Sequence, residues 1–152
     1  MFRRGKRAWL AILTSGLLVG CGPELPKTVP VSGVIVYRNK PVSGAQVTFL
    51  REGERPGRGN TDDQGRFELS TYYSADYDAL KGAVPGEYKV KVTKLEFLVK
   101  PEDKNFAQFL ARTGGKIPKP VIPGRYGDPN TTDLTASVTE DGKNYFEFML
   151  VD

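Results

Sequence analysis

The stretch Thr61-Asp62-Asp63-Gln64-Gly65-Arg66-Phe67-Glu68-Leu69 constrains the fold more than any other part of the chain. Asp62 and Asp63 suit the start of a tight turn, and Gly65 takes a positive φ without steric cost. Phe67 and Leu69 then fall two apart, on one side of a strand. Similar punctuation recurs along the 152 residues. The expected class is therefore all-β, a small antiparallel β-sandwich of about seven strands in one domain.

Taken in order, Val31, Gly33, Ile35 and Tyr37 alternate as one face of a first strand, with Val34 and Val36 on the other. Arg38 to Pro41 makes a turn. Ala45, Val47 and Phe49 form the inward set of a second strand. Arg51 to Asn60, with three glycines and a proline, reads as a solvated loop. Arg66 to Thr71 is a third strand, followed by a polar and aromatic segment, Tyr72 to Lys81. Tyr88, Val90 and Val92 alternate with Lys89, Lys91 and Thr93, the pattern of a half-buried strand. Leu95 to Lys119 interrupts the rhythm. Pro101 at a first helical turn, Glu102 and Asp103 at its positive end and Gly114-Gly115 beyond it predict one short inserted helix near 101–113. Leu134, Ala136 and Val138 make a further strand. Asp141-Gly142 is a hairpin signal, and Phe146, Phe148 and Leu150 close the domain.

Charge separates the first residues from the rest. Arg3, Arg4, Lys6 and Arg7 account for four of the 22 basic residues, and beyond residue 20 the count is 18 basic against 18 acidic. A neutral body has no broad field for phosphate, so no nucleic-acid partner is expected. The apolar run Ala8 to Val19 is too short to span a bilayer comfortably and suits the h-region of a signal peptide. Leu18-Val19-Gly20-Cys21 then resembles the bacterial lipobox. In that reading residues 1–20 are a lipoprotein signal peptide, and Cys21 carries the lipid that joins the protein to a membrane. Residues 21–30, with three prolines, are an extended tether, and 31–152 are the domain. An ordinary signal peptide or an uncleaved anchor with a chance cysteine is the alternative. Gly22 stands where aspartate would retain a lipoprotein at the inner membrane, so the expected place is the outer membrane, facing the periplasm.

The chain holds no histidine, which removes Ser-His-Asp, Cys-His and HExxH chemistry. Its single cysteine removes an internal disulfide and a thiolate metal cage. No cofactor or metal is expected.

Three pieces together look like a known family. They are Val31 to Tyr37 with Pro41 and Gly44 to Phe49, then Thr61-Asp62 with Gly65-Arg66-Phe67, then Pro85 to Val90. This resembles the carboxypeptidase regulatory-like domain, a transthyretin-like (prealbumin-like) β-sandwich. The tail from Pro123-Gly124-Arg125-Tyr126 to Phe148 looks like the version found in small bacterial lipoproteins. The resemblance implies an accessory module without catalytic residues, since enzymes of the transthyretin-like type use histidines. The segment 95–117 departs from the pattern.

Four candidate sites remain. Tyr72, Tyr73 and Tyr77 beside Asp76 and Asp78 offer stacking faces and hydroxyl acceptors for a glycan, or simply cover the end of the sandwich. Asp62, Asp63, Asp76 and Asp78 are oxygen donors of the kind calcium takes, without EF-hand spacing; turn and solvent roles are the alternative. Paired Asp and Glu residues suit glycosidase chemistry only within a cleft, which short turns do not supply. Phe106, Phe109 and Leu110 share a helix face that either docks a partner, such as an envelope protein, or covers the domain's own core or sheet edge. The expected function is a non-enzymatic, lipid-anchored binding or structural module of the cell envelope, with a carbohydrate-binding module on the Tyr72–Asp78 loop as the alternative.

Overall fold

In a computed structural model, residues 25–74, 78–96, 104–113 and 119–152 are described. The chain is an all-β sandwich. The first sheet contains β1 (Ser32–Tyr37), β2 (Lys40–Pro41), β5 (Arg66–Glu68) and β12 (Tyr145–Leu150). The second runs β11 (Thr135–Val138), β8 (Gly86–Thr93), β3 (Gln46–Leu50), β4 (Gly57–Asn60), β6 (Ser70–Thr71), β7 (Leu80–Lys81). A two-stranded ribbon, β9 (Leu95–Glu96) with β10 (Lys119–Pro120), leads to and from helix α1 (Phe106–Thr113).

Alternation places the core. Ile35, Val47, Phe49, Val90 and Val92 are fully buried, and Phe67, Leu69, Tyr88, Phe148 and Leu150 join them between the sheets. Phe49 sits at the centre. Its ring centroid lies 5.7–6.2 Å from those of Phe67, Tyr88, Phe146 and Phe148, so one side chain of the second sheet meets three of the first. Tilted and edge-on contacts of this kind add to the area buried.

The opening turn is built as its residues require. Gly65 has φ +72°, and the Asp62 carboxylate accepts the N–H groups of Gln64 and Arg66, both at 2.8 Å. Thr61 is buried. Its hydroxyl donates to the Val42 carbonyl at 2.6 Å and accepts the Ala45 N–H at 2.7 Å, so the turn holds the start of β3. Beyond the turn the chain changes sheets. β5 pairs with β1, β6 pairs with β4, and Leu69 lies between, its N–H bonded to Val31 O at 3.0 Å. The single third strand of the sequence reading is thus two short ones.

Several expectations are corrected. The sandwich is antiparallel except that β1 and β12 run parallel. The Asp141-Gly142 turn is not a hairpin, because β11 and β12 lie in different sheets; the Asn144 amide bridges the crossing by bonding both Thr139 N and Thr139 O at 2.9 Å. The supposed loop 51–60 contains β4. Its glycines lie where a Cβ is crowded: at Gly59 it would overlap the Glu68 carbonyl, and at Gly57 it would make a tight 3.3 Å contact with the Leu69 side chain. The tether ends earlier than residue 30. Val29 is buried and exchanges backbone hydrogen bonds with Ala83 at 2.9 and 3.1 Å, beside Gly82 at φ +86°. The helix begins at Phe106, after a turn at Lys104 and Asn105, with the Asn105 carbonyl accepting the Phe109 N–H. Residues 101–103 lie outside the described residues.

The far end of the first sheet is closed by polar contacts. Arg38 and Asn39 take positive φ values of 52° and 59°, the geometry of a two-residue hairpin turn into β2. Arg38 pairs with Asp152 at 2.8 Å, and the Tyr37 hydroxyl donates to the same carboxylate. These bonds hold the Asp152 carboxyl below the usual carboxylate range. Tyr126, in the 3-10 turn Gly124–Gly127, accepts the Val151 N–H at 3.0 Å and donates to the Val151 carbonyl at 3.1 Å.

Phe67→Ala is expected to destabilise the fold by about 3–5 kcal/mol in a denaturant titration, through lost transfer energy and a cavity between the sheets. A loss under about 1 kcal/mol would mean that the ring is not part of the core.

Candidate functional site

The loop between β6 and β7 carries the tyrosines singled out in the sequence. Its base is fixed by the buried Thr71 hydroxyl, which donates to the Gly82 carbonyl at 2.7 Å. Neighbours on an extended backbone point opposite ways. Tyr72 therefore stands in solvent at 62% exposure while Tyr73 is half-buried. The two do not form one stacking platform. Asp78 is exposed, and Asp76 and Tyr77 lie outside the described residues.

Tyr73 turns toward the loop after β3. Its hydroxyl is buried and has no hydrogen-bond partner among the described residues. Burial, then the charge of Glu54, pushes its phenol above the ordinary tyrosine value, with Arg55 acting the other way. Tyr88 lies beside it and donates to the Val84 carbonyl at 2.6 Å. Burial raises the Tyr88 phenol too, against the opposing effect of Arg51. Arg51 reaches across the pole to the Pro85 carbonyl at 2.7 Å, and a Cβ on Gly86 would overlap its guanidinium. The result is a polar pole with one unpartnered donor, one nearby acid and two guanidinium groups. It offers hydrogen bonds to a hydroxylated ligand. Among the described residues it contains no pair of converging acids.

The remaining candidates are placed as follows. Asp62 is engaged by its own turn, and Asp63 accepts the Ser43 hydroxyl at 3.1 Å. Among the described residues no three His, Cys, Asp or Glu side chains gather where a metal ion would sit. Phe106, Phe109 and Leu110 share one face of α1 and are each half-buried. Cys21 lies outside the described residues.

One hollow escaped the sequence reading. About 280 Å³ lies between the end of β8, the ribbon and the 3-10 turn, floored by Val92, Ile122 and Pro123 with Lys94 and Asp128 also lining it. Ile122 and Tyr126 are core residues that the sequence reading did not name as such. The Pro-Gly-Arg-Tyr run at 123–126 was the available signal: a large aromatic directly after turn residues.

Tyr73→Phe removes a buried hydroxyl that has no partner among the described residues. It is expected to raise stability by about 1 kcal/mol in chemical denaturation. A loss of that size would show that the hydroxyl has a partner.

No protein-family model matches the chain, and no curated protein matches it. Among solved structures, a crystal structure of a 9R-lipoxygenase from Cyanothece PCC8801 is similar at a TM-score of 0.32 and 13% identity, over 84% of this chain. This chain spans 18% of that one, and at such a score the likeness says nothing about fold or activity.

Proposed function

We infer that this protein is a lipid-anchored, non-enzymatic β-sandwich of the cell envelope, a binding or structural module of the carboxypeptidase regulatory-like, transthyretin-like type. The observation that carries the reading is the short run between Cys21 and the body. Cys21 follows a basic and apolar leader, and the chain is already paired to the sandwich at Val29. Only Gly22 to Thr28 intervene, a reach of about 25 Å when fully extended. Acyl chains on Cys21 would hold the body close to the bilayer surface, and two or more anchor stably. Among the described residues no helix is long and apolar enough to cross a membrane. The histidine-free composition and the engagement of Asp62 and Asp63 in turn contacts support a module without catalytic residues.

The test is metabolic labelling with a fatty-acid probe. The wild-type chain is expected to label, and Cys21→Ser to lose the label while its sandwich stays folded. An unlabelled wild-type chain beside a labelled control lipoprotein would end the anchoring proposal.

A second reading, glycan binding at the β6–β7 loop, is favoured by the exposed ring of Tyr72, which is free to stack on a sugar face. Binding on a glycan array that is lost in Tyr72→Ala supports it. An array without signal for the intact protein counts against it.

A further inference from the structure

The outer face of the first sheet is more apolar than a solvated face needs to be. Five large apolar side chains stand exposed among the described residues, and three lie on or just beyond β12: Tyr145 at 53%, Met149 at 60% and Val151 at 60%. Val34 and Val36 of β1 share that face and are half-exposed. Polar contacts already close the end of the sheet edge, since Tyr126 and Arg125 occupy both backbone groups of Val151. The open surface is the face.

The strand registers arrange this face in rows centred on β1. Val34 has Glu147 on one side and Arg66 on the other. Val36 has Met149 and Pro41 in the same positions, and Ser32 has Tyr145 and Glu68. Their inward neighbours, Gly33, Ile35, Phe67 and Phe148, are buried, so these rows point outward. The ion pairs among the described residues are Lys27–Glu140 and Arg38–Asp152, and neither involves Glu147 or Arg66. An acid and a base of opposite charge thus flank one valine, each without an ion partner among the described residues.

A two-fold axis lying in the face near β1 exchanges the two sides of every row. It sets Glu147 opposite the partner subunit's Arg66, and Arg66 opposite the partner subunit's Glu147. It sets Met149 against the partner subunit's Pro41, and places Val34 and Val36 against their own copies at the centre. It sets Tyr145 opposite the partner subunit's Glu68. An isologous dimer requires this self-complementarity, an apolar centre with opposite charges related by the axis. Packed sheets align within about 30°, which tilts the axis about 15° from β1 and leaves each row facing its mate.

We propose that a second copy of this chain packs on this face. The proposal does not depend on the lipid or on glycan binding. Strands about 4.8 Å apart and about 3.3 Å per residue make a face roughly 15 by 20 Å, about 300 Å² on each copy, which is below the size of stable specific interfaces, so the dimer is a weak, transient one.

The test is sedimentation equilibrium of the full chain in density-matched detergent, up to about 0.3 mM. The wild type is expected to self-associate to a dimer. Glu147→Arg alone and Arg66→Glu alone each place like charges opposite one another and should weaken association at least about tenfold. The double variant restores opposite charges and should recover the dimer. Both positions are exposed, so the variants keep the fold, as circular dichroism will show. Met149→Lys should likewise give monomers. A wild type that stays monomeric, a dimer indifferent to either single reversal, or a double variant that fails to recover would each overturn the proposal.

Discussion

The sandwich closes on one ring. Phe49 is fully buried and lies against Phe67, Phe146 and Phe148 of the opposite sheet and Tyr88 of its own. An aromatic side chain buries a large apolar area at the cost of two torsions, and its ring fixes the angle at which neighbours approach. The positions supplying this cluster come from β3, β5, β8 and β12, so the core cannot form until chain segments nearly a hundred residues apart have met. That is an assembly dominated by non-local contacts, in which loop closure precedes reward.

Around the cluster, single polar side chains do work that backbone ladders leave undone. Thr61 joins its own turn to the start of β3, Thr71 ties β6 to the strand pair's far side, and Asn144 bridges the crossing from one sheet to the other. Each is buried, and each spends its hydrogen bonds on backbone groups that would otherwise be orphaned. Glycines play the complementary part. Gly59 admits the Glu68 carbonyl and Gly82 admits that of Val29, so two backbone crossings depend on the absence of a methyl group. The second of these brings the chain that follows Cys21 into the body, and so sets the distance between the proposed anchor and the sandwich.

The two outer faces differ in character. The second sheet presents Arg58, Lys89 and Lys91 along its outward side, positions ordinary for a solvated sheet. The first presents valines, a methionine and a tyrosine between isolated charges. A side-chain pattern with period two records only which residues share a face. It does not record whether that face meets water, and an apolar outward face is the departure that needs an explanation.

Alternation and turn chemistry were legible in the sequence wherever they were local. Phe67 with Leu69, Val47 with Phe49 and Val90 with Val92 were read as inward pairs and are buried, because a two-residue period leaves a strand little choice of face. The turn at Asp62 and Gly65 was legible for the same reason: its hydrogen bonds close within five residues. What lay beyond reach were matters of partner. Gly57–Asn60 has the composition of a loop and becomes a strand only because β3 and β6 pair with it on either side. Asp141-Gly142 has the composition of a hairpin, yet its flanking strands belong to different sheets. Tyr72 and Tyr73 are alike on paper; alternation sends them opposite ways, and the tertiary structure decides which of the two meets solvent. By itself, then, the order of residues determined which side chains alternate and where the chain turns. Which strand lies beside which, and hence which glycine is covered and which tyrosine is lost to the interior, was decided by the tertiary structure, because those choices belong to contacts between segments that the local code does not join.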